Sequence, residues 1–109
     1  MTDQIVVLVT APSADEASRM AKLLVSDHLA ACVNIVPGVH SIYEWEGELC
    51  AETEALMIIK TSQDVYGPLE ARLKELHPYS VPEVIALKID RGSTQYLEWI
   101  TQSVSARKI

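Results

Sequence analysis

The sequence predicts a single α+β domain in which helices pack on one face of an antiparallel sheet. Two observations support this class. Runs of β-branched and aliphatic residues alternate along the chain with segments whose apolar residues recur at helical spacing. The 109 residues are 49% hydrophobic and 22% charged, an ordinary balance for one globular domain. No linker rich in Pro, Gly or Ser divides the chain, so residues 1–109 are expected to form one domain.

The first strand is predicted at Ile5–Val9, because an unbroken run of such residues is typical of a covered, central strand. A helix follows, in which Ser13 and Glu16 have the spacing of a capping box. Its apolar face is formed by residues at helical spacing, which are Ala17, Met20, Ala21 and Leu24. The helix is expected to end near Asp27.

A long β-hairpin is predicted next. Its first arm extends from Ala31 to Trp45 and is interrupted at Pro37-Gly38, where a bulge or bend is expected because Pro cannot donate to a strand ladder. Glu46-Gly47 forms the turn, and the second arm returns over Glu48–Lys60. At about 3.3 Å per residue the hairpin exceeds about 30 Å, so its tip is expected to extend beyond the parent sheet.

Three elements complete the chain. A second helix starts near Asp64, and its core-facing residues are Val65, Leu69, Leu73 and Leu76. Val84–Ile89 predicts a strand, which Asp90-Arg91-Gly92 ends. A last helix is capped by Ser93 or Thr94, and its apolar side is formed by Leu97, Ile100 and Val104.

The predicted order is therefore βαββαβ with an extra C-terminal helix. The first six elements match the ferredoxin-like arrangement, which places both long helices on one face of the sheet. The strands carry apolar residues on both faces, and the last helix is too short to cover the second face. Self-association is expected to cover it.

Charge and length exclude several classes of partner. The net charge is −6 and the nine Lys and Arg residues are scattered, whereas nucleic-acid binding requires clustered positive charge. The apolar run behind the N-terminus is too short for a membrane span of about 20 residues. Cys32 and Cys50 form no CxxC motif. We therefore expect no nucleic acid, no membrane and a cytoplasmic location.

Two other functions of ferredoxin-like domains fit poorly. An RNA-recognition domain needs aromatic residues on its central strands, but the chain has no Phe and its first strand has no aromatic residue. An acylphosphatase-like enzyme needs Arg in a Gly-rich loop after that strand, and the loop here is Thr10-Ala11-Pro12-Ser13. No HExxH, P-loop or GxGxxG motif occurs, and no nucleophile–base pair has a telling spacing. The sequence does not predict an enzyme.

Several sequence blocks in order carry a resemblance to a known family. They are Val9-Thr10-Ala11-Pro12, Leu29–Asn34, Val36-Pro37-Gly38, Ser41–Gly47, Ile59-Lys60-Thr61, His77-Pro78-Tyr79, Val81-Pro82-Glu83, Gly92-Ser93 and Tyr96–Ile100. With these blocks the chain resembles the CutA family of divalent-ion tolerance proteins. The resemblance extends from about Ile5 to about Val104.

The resemblance implies a non-enzymatic homotrimer, assembled like the PII signalling proteins, in which long hairpins embrace neighbouring subunits. It also implies binding of copper or other divalent cations, and a small ligand in clefts between subunits. Two alternatives stay open. One is a structural scaffold that recruits a protein partner through its trimer, and the other is an unrecognised enzyme with its site between subunits.

His77 and Cys32 are the candidate metal ligands. Imidazole binds many divalent metals, and a thiol suits Cu(I) or Zn. Each residue also has a possible structural role. His77 ends a helix and would complement the negative charge of the helix C-terminus. Cys32 would be a small buried apolar residue, as free cysteines usually are. Some relatives with a copper site have Cys in place of Val9 and a second His in place of Leu76. This chain has neither, so modest copper binding is expected.

The resemblance implies that a second set of residues borders an intersubunit cleft. It consists of Tyr43, Trp45, Lys60, Tyr79 and Glu83. Aromatic walls with a few convergent polar groups are typical of a small-molecule site. The alternative is that the aromatic residues only pack the hairpin against a neighbour. The hairpin's glutamates, which are Glu44, Glu46, Glu48, Glu52 and Glu54, are expected to be solvated.

Overall fold

The fold was obtained as a computed structural model, which describes residues 3–104. Its elements are β1 (Gln4–Ala11), α1 (Ala14–Ser26), β2 (Cys32–Trp45), β3 (Glu48–Ser62), α2 (Tyr66–Leu76), β4 (Ile85–Lys88) and α3 (Thr94–Ser103). The strands form one antiparallel sheet in the order β2-β3-β1-β4. This order and the βαββαβ connectivity confirm the predicted ferredoxin-like fold with an additional C-terminal helix.

The core lies between α1, α2 and one face of the sheet. α1 begins as predicted, because Oγ of Ser13 accepts a 3.1 Å hydrogen bond from the amide of Glu16. Alternate residues of β1 and β3 face the two helices. The largest fully buried side chains include Val7, Val9, Met20, Leu24, Met57, Ile59, Leu69 and Leu73. This core fixes the position of the long hairpin, since β3 is an inner strand.

The β2–β3 hairpin contains the predicted interruption as a β-bulge. Val36 lies opposite Leu56 and Val39 lies opposite Glu54, so Pro37 and Gly38 together oppose one residue of β3. Gly38 has φ +70°, which glycine adopts without strain. The hairpin makes the molecule elongated, with a longest dimension of 44 Å.

The register beyond the bulge determines which side chains share a face in the outer hairpin. Beyond it, Val39, Ser41, Tyr43 and Trp45 lie opposite Glu54, Glu52, Cys50 and Glu48, respectively. Side chains of directly opposed residues point to the same face of a sheet. Three of the hairpin's glutamates therefore share a face with Tyr43 and Trp45. Glu44, opposite Leu49, belongs to the other face.

Residues 3–104 leave the second face of the sheet largely uncovered. We call this surface the open face; its apolar residues include Val6, Leu8, Val36, Leu56, Ile58, Ile85 and Leu87. Ile85 and Leu87 are 50% and 53% exposed. α3 covers one end of the sheet, where the side-chain amide of Gln4 donates to the Leu97 carbonyl at 3.0 Å. The expectation that α3 is too short to cover the whole face is consistent with this arrangement.

Several predicted boundaries differ from the structure. β1 is longer than the predicted Ile5–Val9, and β3 continues beyond Lys60 to Ser62. A 3₁₀ turn at Gln63–Val65 precedes α2, so the α-helix begins at Tyr66. β4 is shorter than the predicted Val84–Ile89. Val104 was expected on α3, but the helix ends at Ser103 and Val104 has extended backbone, φ −117° and ψ 151°. Its side chain is nevertheless buried, because the extended residue places it against the core.

Candidate functional site

His77 ends α2 and has both ring nitrogens engaged. Its backbone is extended, φ −75° and ψ 136°, as favoured for a residue before proline. Nδ1 accepts a 3.1 Å hydrogen bond from the amide of Tyr79. Nε2 lies 2.7 Å from the carbonyl oxygen of Thr10, so Nε2 carries the proton and donates it. This buried, neutral imidazole ties the end of α2 to the end of β1.

Two tyrosines on the same side of the molecule donate to two glutamates of β3. The hydroxyl of Tyr79 donates to Oε2 of Glu54 at 2.6 Å, and that of Tyr43 donates to Oε1 of Glu52. The hydrogen bond to Glu52 raises the pKa of Tyr43 to about 12. Burial, followed by the bond to Glu54, raises the pKa of Tyr79. Both hydroxyls therefore remain neutral donors at physiological pH.

A cavity of about 280 Å³ lies between the outer hairpin and the segment that follows His77. Its lining residues are Tyr43, Trp45, Glu52, Tyr79, Ser80 and Val81. The hairpin contributes one wall and residues 79–81 contribute the other. The segment that connects α2 to β4 therefore forms one wall of this cavity, because the turn at His77 places Tyr79 in the cavity lining.

The site is acidic. Of the residues that the structure describes, no Lys or Arg lines the cavity. Glu52 and Glu54 form no ion pair with any residue between 3 and 104. Glu54 was expected in a solvated cluster, but it is only 7% exposed. Oε2 of this buried carboxylate accepts the 2.6 Å hydrogen bond from the Tyr79 hydroxyl.

The structure brings together three of the five predicted cleft residues, which are Tyr43, Trp45 and Tyr79. Lys60 lies six residues beyond Glu54 on β3, a separation of roughly 20 Å. Glu83 is exposed and is not part of the cavity lining. Within one subunit these two charged residues therefore do not contribute to the cavity.

The two predicted metal ligands lie apart in one subunit. In the sheet, Cys32 of β2 lies opposite Lys60 of β3, and Lys60 lies opposite Val6 of β1. The carbonyl that binds His77 belongs to Thr10, four residues further along β1, or roughly 13 Å away. Across residues 3–104 no group of three or more His, Cys, Asp or Glu side chains is placed to hold a metal ion.

Sequence reasoning did not identify Glu52, Glu54, Ser80 and Val81 as site residues. The glutamates were regarded as part of a solvated tip, because simple alternation spreads the acidic residues of the hairpin over two faces. The signal that could have found them is Pro37-Gly38. The bulge adds one residue to β2, so the residues of β2 beyond it change the face on which they lie. Tyr43 therefore lies on the same face as Glu52 and Glu54.

Comparisons with known proteins agree with this fold. Residues 5–103 match the model of the family described as CutA1 divalent ion tolerance protein. A Thermus thermophilus protein named Divalent-cation tolerance protein CutA is 49% identical over 98 residues, which are 90% of this chain and 95% of that protein. An Arabidopsis thaliana protein named Protein CutA, chloroplastic, is 50% identical over 91% of this chain, which spans 54% of its length.

Solved structures give the same result. A divalent cation tolerance protein from Thermus thermophilus superposes with a TM-score of 0.91 at 47% identity, covering 94% of this chain and 99% of that one. CutA1 from Oryza sativa superposes with a TM-score of 0.93 at 46% identity, covering 96% of both chains. Within residues 3–104, no helix has the length and apolar character needed to cross a membrane. The chain belongs to the CutA1 divalent ion tolerance protein family.

Proposed function

We propose that the protein acts in divalent-cation tolerance as a non-enzymatic homotrimer. In this proposal it binds copper or another divalent metal ion and holds a small ligand in a cleft beside its hairpin. The observation that carries the proposal is the open face, an apolar sheet surface that the described residues of one subunit leave uncovered. Family membership and the names of the relatives support the link to divalent cations.

The open face supports assembly through the hydrophobic effect. Burying apolar surface contributes about 25 cal/mol per Å², and residues such as Ile85 and Leu87 are half exposed in the isolated subunit. A closed ring of subunits would cover this surface on every copy, whereas an open chain would leave two ends uncovered. β2 and β4 are the edge strands of the sheet, so the backbone of a neighbour could pair with their outer edges.

His77 and Cys32 are the side chains we propose for metal binding. Because both ring nitrogens of His77 are hydrogen bonded, an incoming ion has to displace either the Tyr79 amide or the Thr10 carbonyl. Cys32 lies too far away within one subunit, so both ligands can hold one ion only if different subunits supply them. These requirements favour modest affinity. Both cysteines are free, which suits the cytoplasmic location we propose.

The outer hairpin supports a second candidate, a scaffold that recruits a protein partner. Ile42 and Leu49 are 73% and 80% exposed. They lie opposite Ala51 and Glu44, on the hairpin face turned away from the cavity. The two are diagonal neighbours on that face, and adjoining exposed apolar side chains are a feature of interaction sites. A scaffold would need the trimer and this surface, but no metal.

Two measurements on the intact protein test the proposal. Light scattering coupled to size exclusion should give three times 12.1 kDa at micromolar concentration, and a monomer would rule out the trimer. Calorimetric titration with Cu²⁺ should show saturable binding if the metal role is correct. A stable trimer that binds no divalent ion would instead favour the scaffold.

A further inference from the structure

The cavity beside the hairpin has the composition of a cation site with aromatic walls. Tyr43, Trp45 and Tyr79 contribute three aromatic rings to its lining, and Glu52 contributes a carboxylate. Glu54 lies directly behind the Tyr79 hydroxyl. The face of an aromatic ring carries partial negative charge and attracts cations, most strongly in the case of Trp.

Among residues 3–104, no positively charged side chain forms an ion pair with the carboxylates of this site. Each accepts a hydrogen bond from a tyrosine hydroxyl, which satisfies part of its acceptor capacity but leaves its charge. The ion pairs that the described residues form involve neither Glu52 nor Glu54. Because Glu54 is 7% exposed, leaving its charge uncompensated is costly. A bound cation would lower that cost.

The same lining argues against other ligand classes. Phosphates and carboxylates need Lys, Arg or a cluster of backbone amides, and this cavity has no basic side chain among the described residues. A hard metal ion needs several converging oxygen ligands, and no such group was found between residues 3 and 104. Aromatic walls are not metal ligands, but they match the apolar surface of an alkylated cation.

We propose that this cavity binds a small organic ammonium ion, with its positive centre between the aromatic rings and the Glu52 carboxylate. The assignment rests on the small-ligand cleft proposed above and names the chemical class of that ligand. A cavity of about 280 Å³ is near the small end of known ligand sites, which occupy about 300–1,000 Å³. It therefore suits an ion of a few non-hydrogen atoms rather than a nucleotide.

A matched pair of probes separates charge from shape. Choline and 3,3-dimethyl-1-butanol differ only in the exchange of a quaternary nitrogen for carbon, so they have nearly the same volume. Both are titrated into the intact oligomer labelled with ¹⁵N-tryptophan. The indole N–H signal of Trp45 reports on the cavity, and that of Trp99 on α3 is the internal control. Choline should shift the Trp45 signal saturably and leave Trp99 in place.

The neutral alcohol should bind about tenfold more weakly than choline, as expected for one cation–π and carboxylate interaction. Glu52→Gln keeps the shape of the site and removes its charge, so choline affinity should fall about fivefold or more. Glu44→Gln makes the same change of charge on the opposite hairpin face and should leave affinity within about twofold.

The possible outcomes distinguish this inference from the broader proposal. Equal affinity for the two probes would overturn the assignment of a cation, while leaving a small-ligand cleft in place. Equal losses of choline affinity in Glu52→Gln and Glu44→Gln would also overturn the cation assignment, since the loss would then reflect a general change in surface charge. Failure of both probes to shift Trp45 would overturn both the cation assignment and the cleft, while trimer and metal binding are measured separately.

Discussion

The amide of Tyr79 donates a 3.1 Å hydrogen bond to Nδ1 of His77, and the two rings lie 4.7 Å apart at 47°. This bond shapes the turn around Pro78, so that the Tyr79 hydroxyl reaches Glu54 on β3. Through its other nitrogen, His77 is bonded to Thr10 of β1. One imidazole thus connects α2, β1 and the wall of the cavity.

His77→Ala should destabilise the protein by about 2–4 kcal/mol, because it leaves the Thr10 carbonyl and the Tyr79 amide without their buried partner. Urea unfolding at neutral pH measures this change. His40→Ala is the matched control, since His40 is exposed on the hairpin, and it should change stability by less than about 0.5 kcal/mol. Similar effects of the two substitutions would contradict the structural role of His77.

Glu46→Asn should stabilise the hairpin. Glu46 and Gly47 have φ values of 51° and 82°, the left-handed pair of a two-residue hairpin turn in which Asn-Gly is the favoured sequence. Replacing Glu with Asn should add about 0.5–1 kcal/mol to the free energy of unfolding, because Asn tolerates this backbone better. Thermal unfolding tests this, and Glu46→Val should shift the midpoint in the opposite direction.

Ile85→Glu should dissociate the oligomer without unfolding the subunit. Ile85 is half exposed in the isolated chain, so the charge costs a monomer little, whereas burial in an interface would leave it unpaired. Light scattering should show a mass near 12.1 kDa, with unchanged far-ultraviolet circular dichroism. Val25→Glu is the control, because Val25 is 41% exposed on α1. An Ile85→Glu protein that remains an oligomer would place the interface elsewhere.

Stability should decline at alkaline pH. The pKa of Tyr43 is raised from 10.0 to about 12 in the folded protein by its bond to Glu52. The unfolded chain therefore releases this proton at lower pH than the folded protein does. The stabilisation of the folded state by the Tyr43 hydroxyl is complete below pH 10 and is lost as the pH rises towards 12. Tyr79 shifts in the same direction.

Tyrosinate absorbance measured during an alkaline titration gives the ionisation directly. Comparison with Tyr43→Phe isolates the signal of Tyr43. In Glu52→Gln the charged acceptor is absent, so Tyr43 should ionise at lower pH than in the parent protein. Ionisation of Tyr43 at its ordinary pKa in the parent would show that the bond to Glu52 is not maintained in solution.

Metal binding at His77 should be visible at Tyr79. An ion that takes Nδ1 has to displace the Tyr79 amide, so a diamagnetic ion such as Zn²⁺ should shift the amide signal of Tyr79 in nuclear magnetic resonance spectra. His77→Ala should abolish saturable binding, and His28→Ala should not. If His77→Ala binds Cu²⁺ and Zn²⁺ as well as the parent does, His77 is purely structural.

The sequence predicted the order of elements and the position of the bulge, because these follow from local patterns. Each pattern determines the backbone of the residues next to it; the examples are the helix cap at Ser13, the bulge at Pro37-Gly38 and the turn at Glu46-Gly47. The bonds of Tyr79 to Glu54 and of His77 to Thr10 could not be predicted, since they join residues 25 and 67 positions apart. The exclusion of Lys60 depends on where the cavity lies along β3, and that position is determined by residues 79–81, which are distant in the sequence.

The bulge at Pro37-Gly38 also determines where the chain tolerates a change in length. Deleting Gly38 would restore a regular strand with Val39 still opposite Glu54, so every later pair of the hairpin would be kept. Deleting one residue between Val39 and Trp45 would instead rotate part of the strand by half a repeat and turn aromatic side chains away from Glu52. Evolution can therefore add or remove one residue at the bulge while the aromatic wall stays in place.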